Sequence, residues 1–357
     1  MATTKNDARK VKAGKVPVVL SPFKNLVVLS DFNCGIANAQ MEMRYRNVFQ
    51  WISDERQKRV LMPKEIDLPK DKAVLQAPSV MHIQDIPFGN IDYGAYSLYC
   101  CYRALGRSRP NLFIHVTDPG VGAGDDRSIM VTDYGNTFIG PNNGSLGLLR
   151  AYFDERGIPY KVWKIDLDKV EELEQYRMEE PTYHIPRTFH GRDIFSVVAG
   201  LLSGGVSPEA LAIEEDKNGP AMTALSDSIS ALPDKLGSPV LFYAFRDNTY
   251  GNLKTNLTLD ALTFDQLVEE AAEFKITNTL KKAAWWESQQ KIITFVAKRV
   301  FADVSRGEPL LYLGSTFAPQ WDERLVELAV NMCDAAQELR LSNSYMGAQE
   351  LTIERIR

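Results

Sequence analysis

Cysteine and histidine are both scarce, four of each in 357 residues. Cys34, Cys100, Cys101 and Cys333 are too scattered to offer paired zinc-ligand spacing, and the adjacent Cys100 and Cys101 lie in an apolar stretch. Reduced, buried thiols and a cytoplasmic location are expected from that pattern, not a disulfide framework. No apolar run approaches the roughly 20 residues that a bilayer-spanning helix needs, so no membrane partner is expected. Residues 1–15 carry several Lys and Arg but no apolar segment. They do not read as a secretory signal, and a flexible tail over 1–24 is expected. Positive charge is not in excess either, with 41 basic against 46 acidic side chains and a net charge of −5. Basic clusters interleaved with aromatics are missing too, which argues against a nucleic-acid partner. Neither the three-glycine dinucleotide fingerprint nor a phosphate-loop lysine occurs, which argues against NAD and nucleoside triphosphate sites.

What is present is ordinary globular composition, 45% hydrophobic and 24% charged, in a chain long enough for two domains. Leu26 to Ser30, Ser79 to Ile86 and Leu112 to Thr117 read as strands alternating with helical patterns at 37–51 and 93–105. Ile129 to Thr132 and Thr137 to Ile139 read as paired strands, followed by a helix reaching Asp154. A strand near Val162 to Ile165 and a helix over 192–202 continue the series. Strand–helix alternation predicts an α/β domain over 25–203, a mostly parallel sheet flanked by helices. The Gly-, Ser-, Pro- and acid-rich stretch 204–237 reads as a linker. Short strands with turns over 238–357 predict a β-barrel-like domain. A helical insertion near 265–290, carrying Trp285 and Trp286, interrupts it, and residues 52–76 look like a second insertion.

In such sheets, ligands lie beyond the carboxyl ends of strands. Asp31, Asp118 and the Asn142-Asn143 pair all fall at such ends. His82 and His115 sit within strand patterns and read as structural, and no role suggests itself for His184. His190, in Thr188-Phe189-His190-Gly191-Arg192-Asp193, directly precedes an apolar helix. Its plain reading is a helix start; that place also suits a histidine meeting an anion or a carboxylate.

Taken together and in order, Ser30-Asp31-Phe32, Asp118-Pro119-Gly120-Val121-Gly122, Gly140-Pro141-Asn142-Asn143-Gly144, Thr188 to Asp193 and Asp247-Asn248-Thr249-Tyr250-Gly251-Asn252-Leu253 resemble blocks of one family. It is the adenosine-forming S-adenosylmethionine hydrolases, or hydroxide adenosyltransferases, relatives of the fluorinating and chlorinating adenosyl enzymes. Gly314-Ser315 and Leu328-Ala329-Val330-Asn331 resemble its last blocks.

The resemblance implies hydrolysis of S-adenosyl-L-methionine to adenosine and L-methionine, with water attacking C5′ and no cofactor or metal. It implies Asp118, Arg127 and His190 as a trio holding the water, Arg127 keeping Asp118 ionised and His190 receiving the proton. Asp31 would bind the ribose diol, and Phe88 and Phe189 would form apolar walls. Asn143 joins the substrate-binding set from its strand end. Asp247 would hold the methionine ammonium, Tyr250 and Asn252 the adenine, and Ser315 the methionine carboxylate. A homotrimer is implied, with sites between one subunit's N-domain and its neighbour's C-domain. The halogenating relatives carry Tyr at position 118 and Ser at position 191. Asp118 and Gly191 stand there instead, which favours water as nucleophile. The alternatives are a halide-dependent synthase of 5′-halo-5′-deoxyadenosine and a non-catalytic S-adenosylmethionine- or adenosine-binding protein. Two departures stand out. The turn before Arg127 is about two residues longer than the family pattern, and Thr316-Phe317-Ala318-Pro319 replaces a small-residue turn after Ser315.

Overall fold

The computed structural model describes residues 18–20, 22–32, 35–58, 74–83, 86–105, 110–122, 127–132, 134–186, 188–215, 221–233, 235–247, 251–279, 290–317, 323–341 and 348–357. In the first unit, β1 (Asn25–Ser30), β2 (Ser79–Ile83), β3 (Asn111–Val116), β4 (Arg127–Thr132), β5 (Thr137–Pro141), β6 (Tyr160–Ile165) and β7 (Ala212–Glu215) form a seven-stranded sheet. Its order is β2-β1-β3-β5-β4-β6-β7. The β2, β1, β3 and β5 strands run parallel, and β4, β6 and β7 complete the sheet with antiparallel pairings.

The apolar run Leu26-Val27-Val28-Leu29 reads continuously because both faces of its strand are covered. Leu26 and Val28 join one core with α1 (Gly35–Lys58) and α5 (Ser196–Ser203). Val27 and Leu29 join the other with α2 (Ile91–Leu105) and α3 (Gly147–Glu155). A further helix, α4 (Leu167–Met178), follows β6 and starts at Asp166, whose carboxylate accepts from the Asp168 and Lys169 amides.

The second unit is a closed barrel. Its strands are β8 (Val240–Arg246), β9 (Leu253–Asp260), β10 (Glu273–Thr279), β11 (Gln290–Ala297), β12 (Pro309–Phe317), β13 (Glu323–Val330) and β14 (Gln349–Arg355). They run in the order β9-β8-β14-β10-β11-β12-β13, and β13 pairs back to β9. Closure removes the sheet edges. The interior is filled by Phe242, Phe274, Phe295, Leu311, Val326 and Leu351, among others.

Several expectations change here. In place of a helical insertion over 265–290, the helix α6 (Ala261–Glu269) starts earlier and is capped by Asp260. Glu273–Thr279 then runs as a barrel strand, paired with both β11 and β14. The alternating Phe274 and Ile276 carry that strand's buried face, a period-2 signal hidden beside a genuine helix. Trp285 and Trp286 lie outside the described residues. Part of the 204–237 stretch belongs to the sheet, because β7 pairs with β6. Ser230–Ala231, from the same stretch, pairs with barrel strand β9. Most of the 1–24 tail lies outside the described residues; Val18–Leu20 pairs in parallel with Val74–Gln76. The thiols are less buried than the sequence suggests: Cys100 and Cys101 are half-buried, Cys333 is exposed, and all three are free.

Helix α2 serves both units. Tyr93 and Tyr96 meet barrel residue Phe245 edge-on at 5.6 and 5.7 Å. The Tyr96 hydroxyl lies 2.6 Å from Thr316 Oγ1, and Asp92 accepts from the Ala348 amide at 2.6 Å. Among the described residues no helix is long and apolar enough to cross a membrane.

Candidate active site

Four strand termini and the segment before α5 build the first constellation. The parallel strands β1, β3 and β5 deliver Asp31, Asp118 and Asn143 to the same end of the sheet, as such strands must. Because β4 runs antiparallel to β5, its first residue, Arg127, lies opposite Pro141, the last residue of β5. His190 arrives from another direction, immediately before a π-helical turn at Gly191–Phe195 that leads into α5. Such turns are frequent at functional sites. Ser196 Oγ donates to the Gly191 carbonyl at 2.8 Å, within the turn.

These side chains converge. His190 Nδ1 lies 4.0 Å from Asp118 Oδ2. Arg127 places Nε 3.3 Å from His190 Nδ1 and Nη2 3.2 Å from His190 Nε2. Arg127 and His190 are both 2% exposed. A neutral imidazole has one nitrogen able to accept, so only one of the two guanidinium contacts can be a hydrogen bond at a time. The 4.0 Å gap is too long for a direct hydrogen bond. One water at the apex of a triangle can reach both the carboxylate and the ring.

Asp31 and Asp118 both have carboxyls shifted upward. Burial raises the Asp118 carboxyl above its ordinary value of 3.8, against the opposing pull of the Gly120 amide (3.2 Å) and the Arg127 charge. The family resemblance implies that Arg127 holds Asp118 low; burial outweighs it, and the net direction is upward. Asp31 is raised too, chiefly by burial and in part by the Asp118 charge, although it accepts from the Gly89 amide at 2.8 Å.

Other expected contacts divide. Phe189 packs edge-on against Phe32 at 5.0 Å, and Arg192, paired with Asp193 at 2.8 and 2.7 Å, covers its ring at 5.0 Å. Phe88 is 61% exposed, so within one chain it walls nothing. The Asn143 amide is engaged inside the protein: Nδ2 donates to the Thr117 carbonyl (2.8 Å), and Oδ1 accepts from the Ser145 amide (3.2 Å). It braces the loop that carries Asp118.

The second constellation is a groove on the barrel with a volume of about 1080 Å³. Asp247, Asn252 and Ser315 line it, and Tyr250 lies outside the described residues. At its base are Lys254, Tyr312 and Glu327, which sequence reasoning did not single out. Lys254 Nζ is 2.8 Å from Glu327 and 3.5 Å from Asp247. No spacing along the chain could have found these three, because barrel pairing alone makes them neighbours. Among the described residues this groove is lined by the barrel alone. Also among the described residues, no group of three or more His, Cys, Asp or Glu side chains could hold a metal ion.

An α/β unit with a desolvated carboxylate–imidazole–guanidinium cluster at its strand ends, joined to a barrel with a polar groove, defines a two-domain enzyme for a small molecule. The SAM hydroxide adenosyltransferase N-terminal domain model matches residues 73–212, and the corresponding C-terminal domain model matches residues 244–344. The chain belongs to this family of S-adenosylmethionine-using enzymes. The first match begins after Asp31, so that residue joins the site through the tertiary structure.

Two relatives carry the name (R)-S-adenosyl-L-methionine hydrolase. One, from Methanocaldococcus jannaschii, is 25% identical over 229 residues, covering 62% of this chain and 72% of the relative. The other, from Thermus thermophilus, is 26% identical over 281 residues, covering 76% and 89%. Among solved structures, an uncharacterized conserved protein from Thermotoga maritima aligns with a TM-score of 0.54 at 20% identity, over 92% of this chain and 100% of the other. A conserved hypothetical protein from Thermus thermophilus aligns at 0.54 and 19%, over 93% and 100%. Both likenesses concern the fold.

Proposed function

We propose that this protein hydrolyses S-adenosyl-L-methionine to adenosine and L-methionine. The observation that carries the reading is the approach of Asp118 to His190 at 4.0 Å beneath the Arg127 guanidinium. Three segments distant in sequence leave room there for one water. That water attacks C5′ of the nucleoside, the C5′–S bond breaks, and its electrons return to sulfur. The sulfonium becomes the neutral thioether of methionine.

Positive charge leaves sulfur and builds on the attacking oxygen, where the ionised Asp118 stabilises it. His190, with the Arg127 guanidinium packed against its ring, orients the water. In place of the proton transfer to His190 that the resemblance implies, Asp118, made more basic by burial, takes the proton. The leaving group needs no activation; alignment of water, C5′ and sulfur does most of the work. Asp31 would take the ribose diol.

The two half-sites support assembly as a homotrimer, N-domain of one subunit against barrel of the next. Ile36, Phe88 and Val121, in the segments around Asp31 and Asp118, are exposed, and so are Val300 and Met332 on the groove. Free thiols support a cytoplasmic setting.

A halide-using activity is disfavoured by one observation. A Cβ on Gly191 would sit 3.0 Å from Met41 Sδ and 3.2 Å from Val116 Cγ2, so a serine there is crowded.

The test is chromatography of S-adenosylmethionine incubated with purified protein. Adenosine should form with wild type, and Asp118→Ala should reduce its rate by about 10²–10⁴-fold. Binding without product would select the non-catalytic alternative, and 5′-chloro-5′-deoxyadenosine formed with chloride would select the synthase. Light scattering should give three chains per particle.

A further inference from the structure

The base of the barrel groove holds a directional hydrogen-bond chain built from register partners. Glu327 on β13 lies opposite Lys254 on β9 on one side and Tyr312 on β12 on the other. Glu327 is 3% exposed. It accepts from Lys254 Nζ at 2.8 Å and from the Tyr312 hydroxyl at 2.5 Å. Asn252 Nδ2 approaches the same hydroxyl at 3.0 Å. Gly314, close to Tyr312 along β12, lets Glu327 come this near: a Cβ there would lie 2.5 Å from Glu327 Oε1 and 2.8 Å from the Leu325 carbonyl.

The direction of the chain follows from donor inventory. A carboxylate in an ion pair only accepts, so Tyr312 spends its one hydrogen on Glu327. Burial and the adjoining Glu327 charge both push the Tyr312 hydroxyl's pKa upward, which keeps that hydrogen in place. The Tyr312 oxygen can then only accept, so Asn252 must turn its NH₂ toward it. Asn252 Oδ1 is left for the groove, where it makes no hydrogen bond among the described residues.

The geometry points to Glu327 and Tyr312 as positioning residues that lock the Asn252 amide as an acceptor and so select an amino-purine over an oxo-purine. This rests on the S-adenosylmethionine reading for its substrate. That molecule offers two N–H donors, the methionine ammonium and the adenine 6-amino group. The cation suits the Asp247 carboxylate in the same groove, and the neutral amino group suits the neutral amide oxygen. A 6-oxo group would face Asn252 Oδ1 lone pair to lone pair.

The experiment is calorimetric binding of adenosine and of inosine to the full chain, with S-adenosylmethionine turnover measured separately. Wild type should bind adenosine roughly ten- to hundredfold more tightly, the usual consequence of one unmade buried hydrogen bond. In Tyr312→Phe the amide is free to turn, and the ratio should fall to within about threefold while adenosine still binds. Glu327→Gln, which can donate to Tyr312 and reverse the chain, should also reduce the ratio, and it serves if the first variant does not fold. An unchanged ratio in the folded variants, or a wild type that binds both nucleosides alike or binds neither, overturns the relay. Turnover with no discrimination rejects the relay and leaves hydrolysis standing. Discrimination with no turnover does the reverse.

Discussion

The two halves of this molecule assemble polar side chains by different means. In the α/β unit, Asp31 and Asp118 follow parallel strands that open at one end of the sheet, Arg127 begins an antiparallel strand at that end, and His190 precedes the turn into α5. Each sits at the end of an apolar element and is conspicuous in the sequence. In the barrel, Lys254, Tyr312 and Glu327 lie inside strands and meet because β9, β12 and β13 are laterally paired. Nothing along the chain marks them. Loop-end sites therefore announce themselves as motifs, whereas ladder sites exist only once register is set. The charges differ as well. Burial leaves Asp31 and Asp118 with raised pKa values. Glu327 is held between a lysine and a tyrosine, an arrangement suited to a fixed orientation.

The sharpest way to break this contrast is kinetic. His190→Ala should cut kcat by about 10²–10⁴-fold, the usual loss of a group that handles the reacting water. Asn252→Ala should raise KM by about tenfold with kcat nearly unchanged. If both variants lose kcat alike, the division into a reacting half and a binding half is wrong.

Next is stability. Lys254→Met leaves Glu327 buried without its cation and should cost about 3 kcal/mol in denaturant titration. Retention of wild-type stability would show that the groove's ion pair is held too loosely to fix anything. In the first unit, Gly191→Ser must displace Met41 or Val116. It should cost about 1–3 kcal/mol by the same titration, with no gain of chloride-dependent product.

The smallest effect concerns Asp118. Its folded pKa is raised above 3.8. Its contribution to stability is therefore full below the unfolded value and is lost as pH rises through the folded one. At neutral pH the ionised carboxylate destabilises the fold. Asp118→Asn should then raise Tm slightly at about pH 7, with the gain vanishing below about pH 3.8, while turnover is abolished. A lowered Tm at neutral pH would mean that Asp118 is a structural anchor and not a desolvated reactive group. Wild-type turnover should also fall on the acid side at a pH above the ordinary carboxylate range.

Much of the first unit was legible. The Leu26 to Ser30, Leu112 to Thr117 and Thr137 to Ile139 runs are mostly apolar because helices cover both faces of their sheet, and the polar residues that follow them stand out. The pairing of Ile129 to Thr132 with Thr137 to Ile139 followed from two short strands joined by a tight turn. Helix α4 is illegible in the sequence because its exposed faces mask the period, with only Val170, Leu173 and Glu174 buried. Strand β10 is hidden by the helix before it. Asn143 is conspicuous at a strand end, and its amide bonds to Thr117 and Ser145; a motif shows position and not what a side chain touches.

By itself, the order of residues determined the strand–helix alternation, the polar groups at strand ends and the absence of a side chain at position 191, because hydrophobic period and turn chemistry are local. Only the tertiary structure decided that burial would overrule Arg127 at Asp118. It also decided that Glu327 would lie between Lys254 and Tyr312. Desolvation and strand register depend on what the rest of the chain brings alongside, and neighbouring letters carry no record of that.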